Sequence, residues 1–137
     1  MGVNVMTERK YNLTLTEQQA GILCDALDLY ARIGIGQFEE ILHIFNFTKV
    51  APEHRDTVEI LLLSAKEEIG LPKNGSHGIH HPEVNDKFRA AFDLKQVVRN
   101  KVAWDRNPAG GIQVQFDTPN QTSEETPLAT ITSEPSK

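Results

Sequence analysis

Four stretches of this sequence repeat apolar residues every three to four positions, and each is closed by glycine or proline. That combination restricts the chain to a mainly helical fold. In the first stretch, Thr16 and Gln19 form a capping-box pattern ahead of Ile22, Leu23, Ala26, Leu27, Tyr30 and Ile33, and Gly34-Ile35-Gly36 ends the run. Phe38, Ile41, Leu42, Phe45 and Phe47 mark the apolar side of a second helix. Pro52 starts a third, with Val58, Ile60, Leu61, Leu62, Leu63, Ala65 and Ile69, stopped by Gly70 and Pro72. Its middle is apolar nearly all round, so it is expected to be the most central helix or an oligomer-forming one. Pro82 opens the fourth and longest, expected over residues 83–104, with a buried stripe of Val84, Phe88, Ala91, Phe92, Val98 and Val102. Its opposite face is polar, carrying Arg89, Asp93, Gln96 and Asn100.

Outside the helices the period changes. Tyr11, Leu13 and Leu15 alternate with polar residues, as do Ile112, Val114 and Phe116 after the Asn107-Pro108-Ala109-Gly110-Gly111 break. These two segments are expected to pair as a small two-stranded β element, within a subunit or between subunits, beside a four-helix core. The resulting division is a flexible N-terminus at 1–9, a single helical domain at 10–117, and a disordered acidic tail rich in Ser, Thr and Pro at 118–137.

At 137 residues the chain is long enough to bury a core without disulfides. Cys24 is the sole cysteine and sits within a helical apolar pattern, which suits a reduced, cytoplasmic protein. No signal-peptide pattern opens the sequence, and no run approaches the roughly 18 apolar residues of a membrane span. The formal charge is −5, from 19 acidic and 14 basic residues, which argues against long nucleic acid as a partner. Basic residues nevertheless concentrate between His54 and Arg106, so a local positive pocket is compatible with the total.

The principal candidate site is the loop Gly75-Ser76-His77-Gly78-Ile79-His80-His81-Pro82, which feeds the fourth helix. Free N–H groups at a helix start attract anions, and Ser76, His77, His80 and His81 would add hydrogen bonds or charge. The bland alternative is a connector whose histidines face solvent or cap the helix. With Glu83 the three histidines resemble a metal set on paper, but they match no recognised zinc spacing, and no metal or other cofactor is expected. Acids at Asp25, Asp28, Glu39, Glu40, Glu67, Glu68, Glu83 and Asp86 read mostly as solvated helix faces. All-helical nucleoside triphosphate pyrophosphatases need an upstream Glu-x-x-Glu that is missing here, and Glu40-x-x-His43 is half of a di-iron pattern without a second copy.

Arginines and aromatic residues complete the candidate ligand set. Arg89, Gln96 and Arg99 lie on or beside the polar side of the fourth helix, Trp104 and Arg106 near its end, and Tyr30 and Arg32 near the end of the first. Arginine grips phosphate through a planar fork and aromatic rings stack on bases. Structure alone also accounts for Trp104, as a closure of the core, and for Arg106, as a partner of helix-end carbonyls. No nucleophile elbow surrounds any serine, and Cys24 has no positional reason for activation, so catalytic residues are not assigned.

Three segments, ALDLYARIGIGQFEEI at 26–41, GIHHPEVNDKFRAAFDLKQVVR at 78–99 and WDRNPAGGIQVQFDTPNQTS at 104–123, together resemble a group of small, uncharacterised bacteriophage proteins. The resemblance covers somewhat under half of the chain and contains no catalytic motif. It implies a phage origin and a place in the cytoplasm of an infected bacterial host. Among such proteins, sequestration of nucleotide-derived immune signals is one strategy. The expectation that follows is a non-catalytic homo-oligomer binding a small phosphorylated nucleotide ligand, such as a cyclic dinucleotide or an ADP-ribose derivative, away from membranes. The alternatives are a protein-interaction module that inhibits a host enzyme and a virion or replication accessory protein.

Overall fold

A computed structural model describes residues 8–45 and 51–135. Among these residues the chain forms α1 (Glu17–Gly34), α2 (Glu40–Ile44), α3 (Pro52–Ile69), α4 (Asp86–Arg106) and one 3-10 turn at Val114–Phe116. Local signals set the ends of α1 and α3. Thr16 accepts from the Gln19 amide while the Gln19 side chain accepts from the Thr16 amide, which completes the capping box. Gly70 closes α3 in the left-handed conformation at φ +92°, where a β-carbon would be strained.

The core is the pairing of α1 with α4. Ala20 and Ala31 on α1 are buried along with Ala91, Val97, Val98 and Ala103 on α4. Small side chains at these positions let the two helix backbones approach closely, and Gly34 carries this furthest. A β-carbon there would lie 2.0 Å from the Phe88 ring. Tyr30 also packs against Phe88, with ring centroids 5.0 Å apart.

Several expectations require correction. No strand occurs among the described residues: Tyr11 and Leu13 are exposed without a ladder partner, and Val114–Phe116 tightens into the 3-10 turn. The reason is packing, because neither alternating segment finds a second strand to share its backbone hydrogen bonds. Helix α4 begins at Asp86 rather than at residue 83, since the Asn85 side chain caps it by accepting from the Lys87 amide. Helix α2 ends at Ile44, and Phe47 lies outside the described residues.

The expectation of a central third helix also fails. Ile60, Leu61 and Ile69 are exposed at 63, 62 and 66 %, and Lys66 is the residue that α3 buries. Lys66 donates to the Gly75 carbonyl at 2.7 Å and lies 4.0 Å from Glu39, tying α3 to the loop and to the start of α2.

In place of a β element, a polar strap covers α4. Asn100 donates to the carbonyls of Gln115 and Asp117, Trp104 to that of Phe116, and Gln96 to that of Asn120. Further along, the buried Asp93 carboxylate accepts from the amides of Thr122 and Ser123 and from the Thr122 hydroxyl. Asp86 accepts from the Ser123 hydroxyl and the amides of Glu124 and Glu125. Composition places residues 120–125 in a disordered tail, yet here they are fixed by side chains spaced along one face of a helix.

Candidate functional site

The junction of α1, α4 and the loop at 75–81 holds a cavity of about 130 Å³. Its floor is apolar, made by Ala31, Ile35, Ile79 and Phe92, and its polar groups are Asp28, Arg32, Gln37 and Lys95. Arg32 Nε donates to Asp28 at 2.7 Å across one helical turn, and Lys95 Nζ reaches the other oxygen of the same carboxylate at 2.8 Å from α4. Burial alone would raise the Asp28 pKa, but the hydrogen bonds from Lys95 and Arg32 outweigh it and hold the group below the ordinary carboxylate range. Arg32 Nη1 also donates to Gln37, and Lys95 Nζ stands 4.7 Å from the centre of the Phe92 ring. The site thus presents two cations around one acid above an apolar floor.

Of the residues proposed from sequence to bind a ligand, Arg32 alone lines this cavity, and Asp28, read from sequence as a solvated helix face, is its central acid. Gln37 and Lys95 were missed. Lys95 carried a signal, because it falls between Ala91 and Val98 on the apolar stripe, where a buried ammonium needs an acid from a facing helix.

The glycine-histidine loop is a second, adjoining cluster, pinned from three elements. Besides the Lys66 bond to Gly75, the His77 amide donates to the Ile35 carbonyl at 2.8 Å, and Gln37 reaches the Ser76 hydroxyl at 3.5 Å. Arg89 is buried, with Nε on the Ile79 carbonyl at 2.7 Å, Nη2 on the His81 carbonyl at 2.8 Å and Nη1 3.5 Å from Asp86. Its guanidinium is therefore committed to holding the loop, and the expected role of gripping a phosphate is not available to it in this arrangement. The His77 and His81 rings stack at 3.9 Å, whereas His80 is exposed. Glu83 joins the pair, its carboxylate 3.6 Å from His77 Nε2 and its amide donating to His81 Nδ1 at 3.1 Å. One ligand-type atom from each of His77, His81 and Glu83 falls within a 4.8 Å cluster.

The remaining candidates are dispersed. Tyr30 is occupied by Phe88, and Gln96 holds the strap. Trp104 does not close the core, being 41 % exposed: it donates to the Phe116 carbonyl, meets the Phe116 ring edge-on at 5.4 Å and presses against Gly110, whose φ of +79° and lack of a side chain the turn requires. Arg106 pairs with Glu17 at 2.9 Å, joining the end of α4 to the start of α1 instead of satisfying helix-end carbonyls. Arg99 is different: its Nε is buried without a hydrogen-bond partner among the described residues. Cys24 is half-buried and lies 3.9 Å from the Lys95 carbonyl, and burial, followed by the nearby Asp25, raises its thiol pKa, as befits an unreactive cysteine.

No protein family, curated protein or solved structure matches the chain. Among the described residues, no helix is long and apolar enough to cross a membrane.

Proposed function

We propose that this protein binds, without turning it over, the anionic group of a small phosphorylated nucleotide-derived ligand, and that the Arg32–Lys95 cavity receives that group. The observation that carries the reading is the convergence of two cations from different helices on one half-open pocket, where Asp28 now supplies the negative charge. About 130 Å³ accommodates a phosphoryl or carboxylate group and is smaller than the roughly 300 Å³ at which drug-sized ligand pockets begin. The sugar and base of such a ligand would lie outside it. The finer form of the proposal is a phage protein that sequesters an immune signal as a homo-oligomer in the host cytoplasm, each signal being shared between subunits. The resemblance in sequence and the exposed apolar side of α3 support this form.

Calorimetric titration with cyclic dinucleotides and ADP-ribose tests the reading. Arg32→Ala and Lys95→Met are expected to abolish binding, while Asp28→Asn removes the internal competitor and tightens it. Recovery of unaltered ligand after denaturation distinguishes sequestration from catalysis. Weaker binding in Asp28→Asn would overturn the assignment of the cavity.

A second reading, a module that docks on a host protein, is favoured by Ile60, Leu61 and Ile69 on the outside of α3. Removing residues 118–137 is not a clean test of it, because that deletion also strips the donors from Asp86 and Asp93. Polar replacement of Leu61 leaves the strap intact and is the better probe.

A further inference from the structure

We infer that His77, His81 and Glu83 form a binding site for a divalent first-row transition-metal ion, with zinc the chemical type that best fits the donors. Two imidazoles and one carboxylate suit zinc and its neighbours, whereas calcium and magnesium prefer sets made of oxygen alone. Three protein ligands leave a position for water or an external donor.

The spacing agrees with this assignment. Donors bonded to one tetrahedral zinc at 2.0–2.1 Å stand about 3.3 Å from each other. The Glu83 carboxylate and His77 Nε2 are 3.6 Å apart, and the three-residue donor set falls within 4.8 Å. Rotation of the 74 % exposed Glu83 side chain closes its own gap to His77, and a turn of the two stacked rings brings their nitrogens together.

The two histidines are held by their backbone and not merely near each other. His77 is anchored through its amide to Ile35, and the carbonyls on either side of His80 are both taken by the Arg89 guanidinium. Lys66 fixes Gly75 at the entrance of the loop. Two buried cations thus spend their donors on loop carbonyls, which fixes the backbone that carries both imidazoles, and the stacked rings turn apart so that both lone pairs reach one ion. Ligation at His81 uses a ring lone pair, so the metal replaces the bond from the Glu83 amide, a local exchange in the turn that precedes α4.

His80 separates this geometry from a general affinity of histidine-rich loops for metal. It neighbours His81 in the sequence yet lies outside the cluster and faces solvent. The cluster shares no residue with the Arg32–Lys95 cavity, so either assignment can fail without the other.

Calorimetric titration of the full chain with zinc, paired with the visible absorption of the cobalt(II) form, tests the inference. One ion per chain is expected, with loss of the cobalt spectrum in His77→Ala and His81→Ala and full retention in His80→Ala. Glu83→Gln alters an exposed side chain that the fold does not need, and it is expected to weaken zinc binding while the circular dichroism stays unchanged. No zinc binding by the unaltered chain would overturn the assignment. So would binding that survives His77→Ala and Glu83→Gln but is lost in His80→Ala.

Discussion

Helix α3 is rich in aliphatic side chains and leaves several of the largest in solvent, whereas the polar residues from Gln115 to Glu125 are held on α4 by one hydrogen bond after another. The difference shows that burial is decided by the surface an element faces. An apolar run gains from leaving water when another apolar surface meets it, and the side chain that α3 buries is a lysine bonded to a loop carbonyl. A polar segment becomes ordered when donors and acceptors are spaced to match it. Asp86, Asp93, Gln96, Asn100 and Trp104 provide that match, because positions three, four and seven apart lie near one face of a helix.

The comparison breaks most visibly at Asp93. Its carboxylate is 3 % exposed and receives the Thr122 and Ser123 amides together with the Thr122 hydroxyl. Asp93→Ala is expected to cost on the order of 3 kcal/mol in urea unfolding, as hydrogen bonds to a charged group are lost and their donors are left unpaired. Amide exchange at 122 and 123 should rise at the same time; unchanged exchange there would mean that the strap does not depend on this residue.

Gly34→Ala tests the α1–α4 core against which both regions are measured. The new methyl group meets the Phe88 ring, and overpacking of this kind costs about 1–3 kcal/mol. A thermal melt reads the loss, and Phe88→Leu should recover part of it by vacating the space.

Acid should loosen the strap more gently. Hydrogen bonds from Ser123 and then from the Glu124 amide hold the Asp86 pKa below its ordinary value, against the opposing effect of burial. The stabilisation from Asp86 is therefore complete above the unfolded value of about 3.9 and disappears as the pH falls through the lowered folded value. Exchange or nuclear magnetic resonance shifts of Glu124 and Glu125 should follow that window. In Asp86→Asn this acid-dependent component should be missing.

The smallest effect is expected on α3. Leu61→Ser should change monomer stability by no more than about 0.5 kcal/mol, the usual range for exposed positions. A larger change that depends on protein concentration would show that α3 is covered by another copy. Sedimentation at two concentrations distinguishes these results.

Much of the helical framework was legible from short-range chemistry. Thr16 and Gln19 announce the start of α1, Gly34-Ile35-Gly36 its end, and Pro52 and Gly70 the limits of α3, because caps, a missing N–H and a positive φ act within one turn. The site was only partly legible. The loop at 75–81 stood out by its composition, but Arg89, expected to hold a ligand, instead holds the loop, and Lys95 was hidden among apolar neighbours.

By itself, then, the sequence determined where helices begin and stop, along with the polar stripe on α4 and the unusual loop before it. Tertiary structure alone decided that the stripe is covered by Gln115–Glu125 and that α3 is left outside. It also brought Asp28 to Lys95 across 67 positions and gathered His77, His81 and Glu83 while turning His80 away. Caps and turns depend on atoms a few residues apart, whereas these choices depend on which surfaces meet, and that is settled by the packing of α1 against α4.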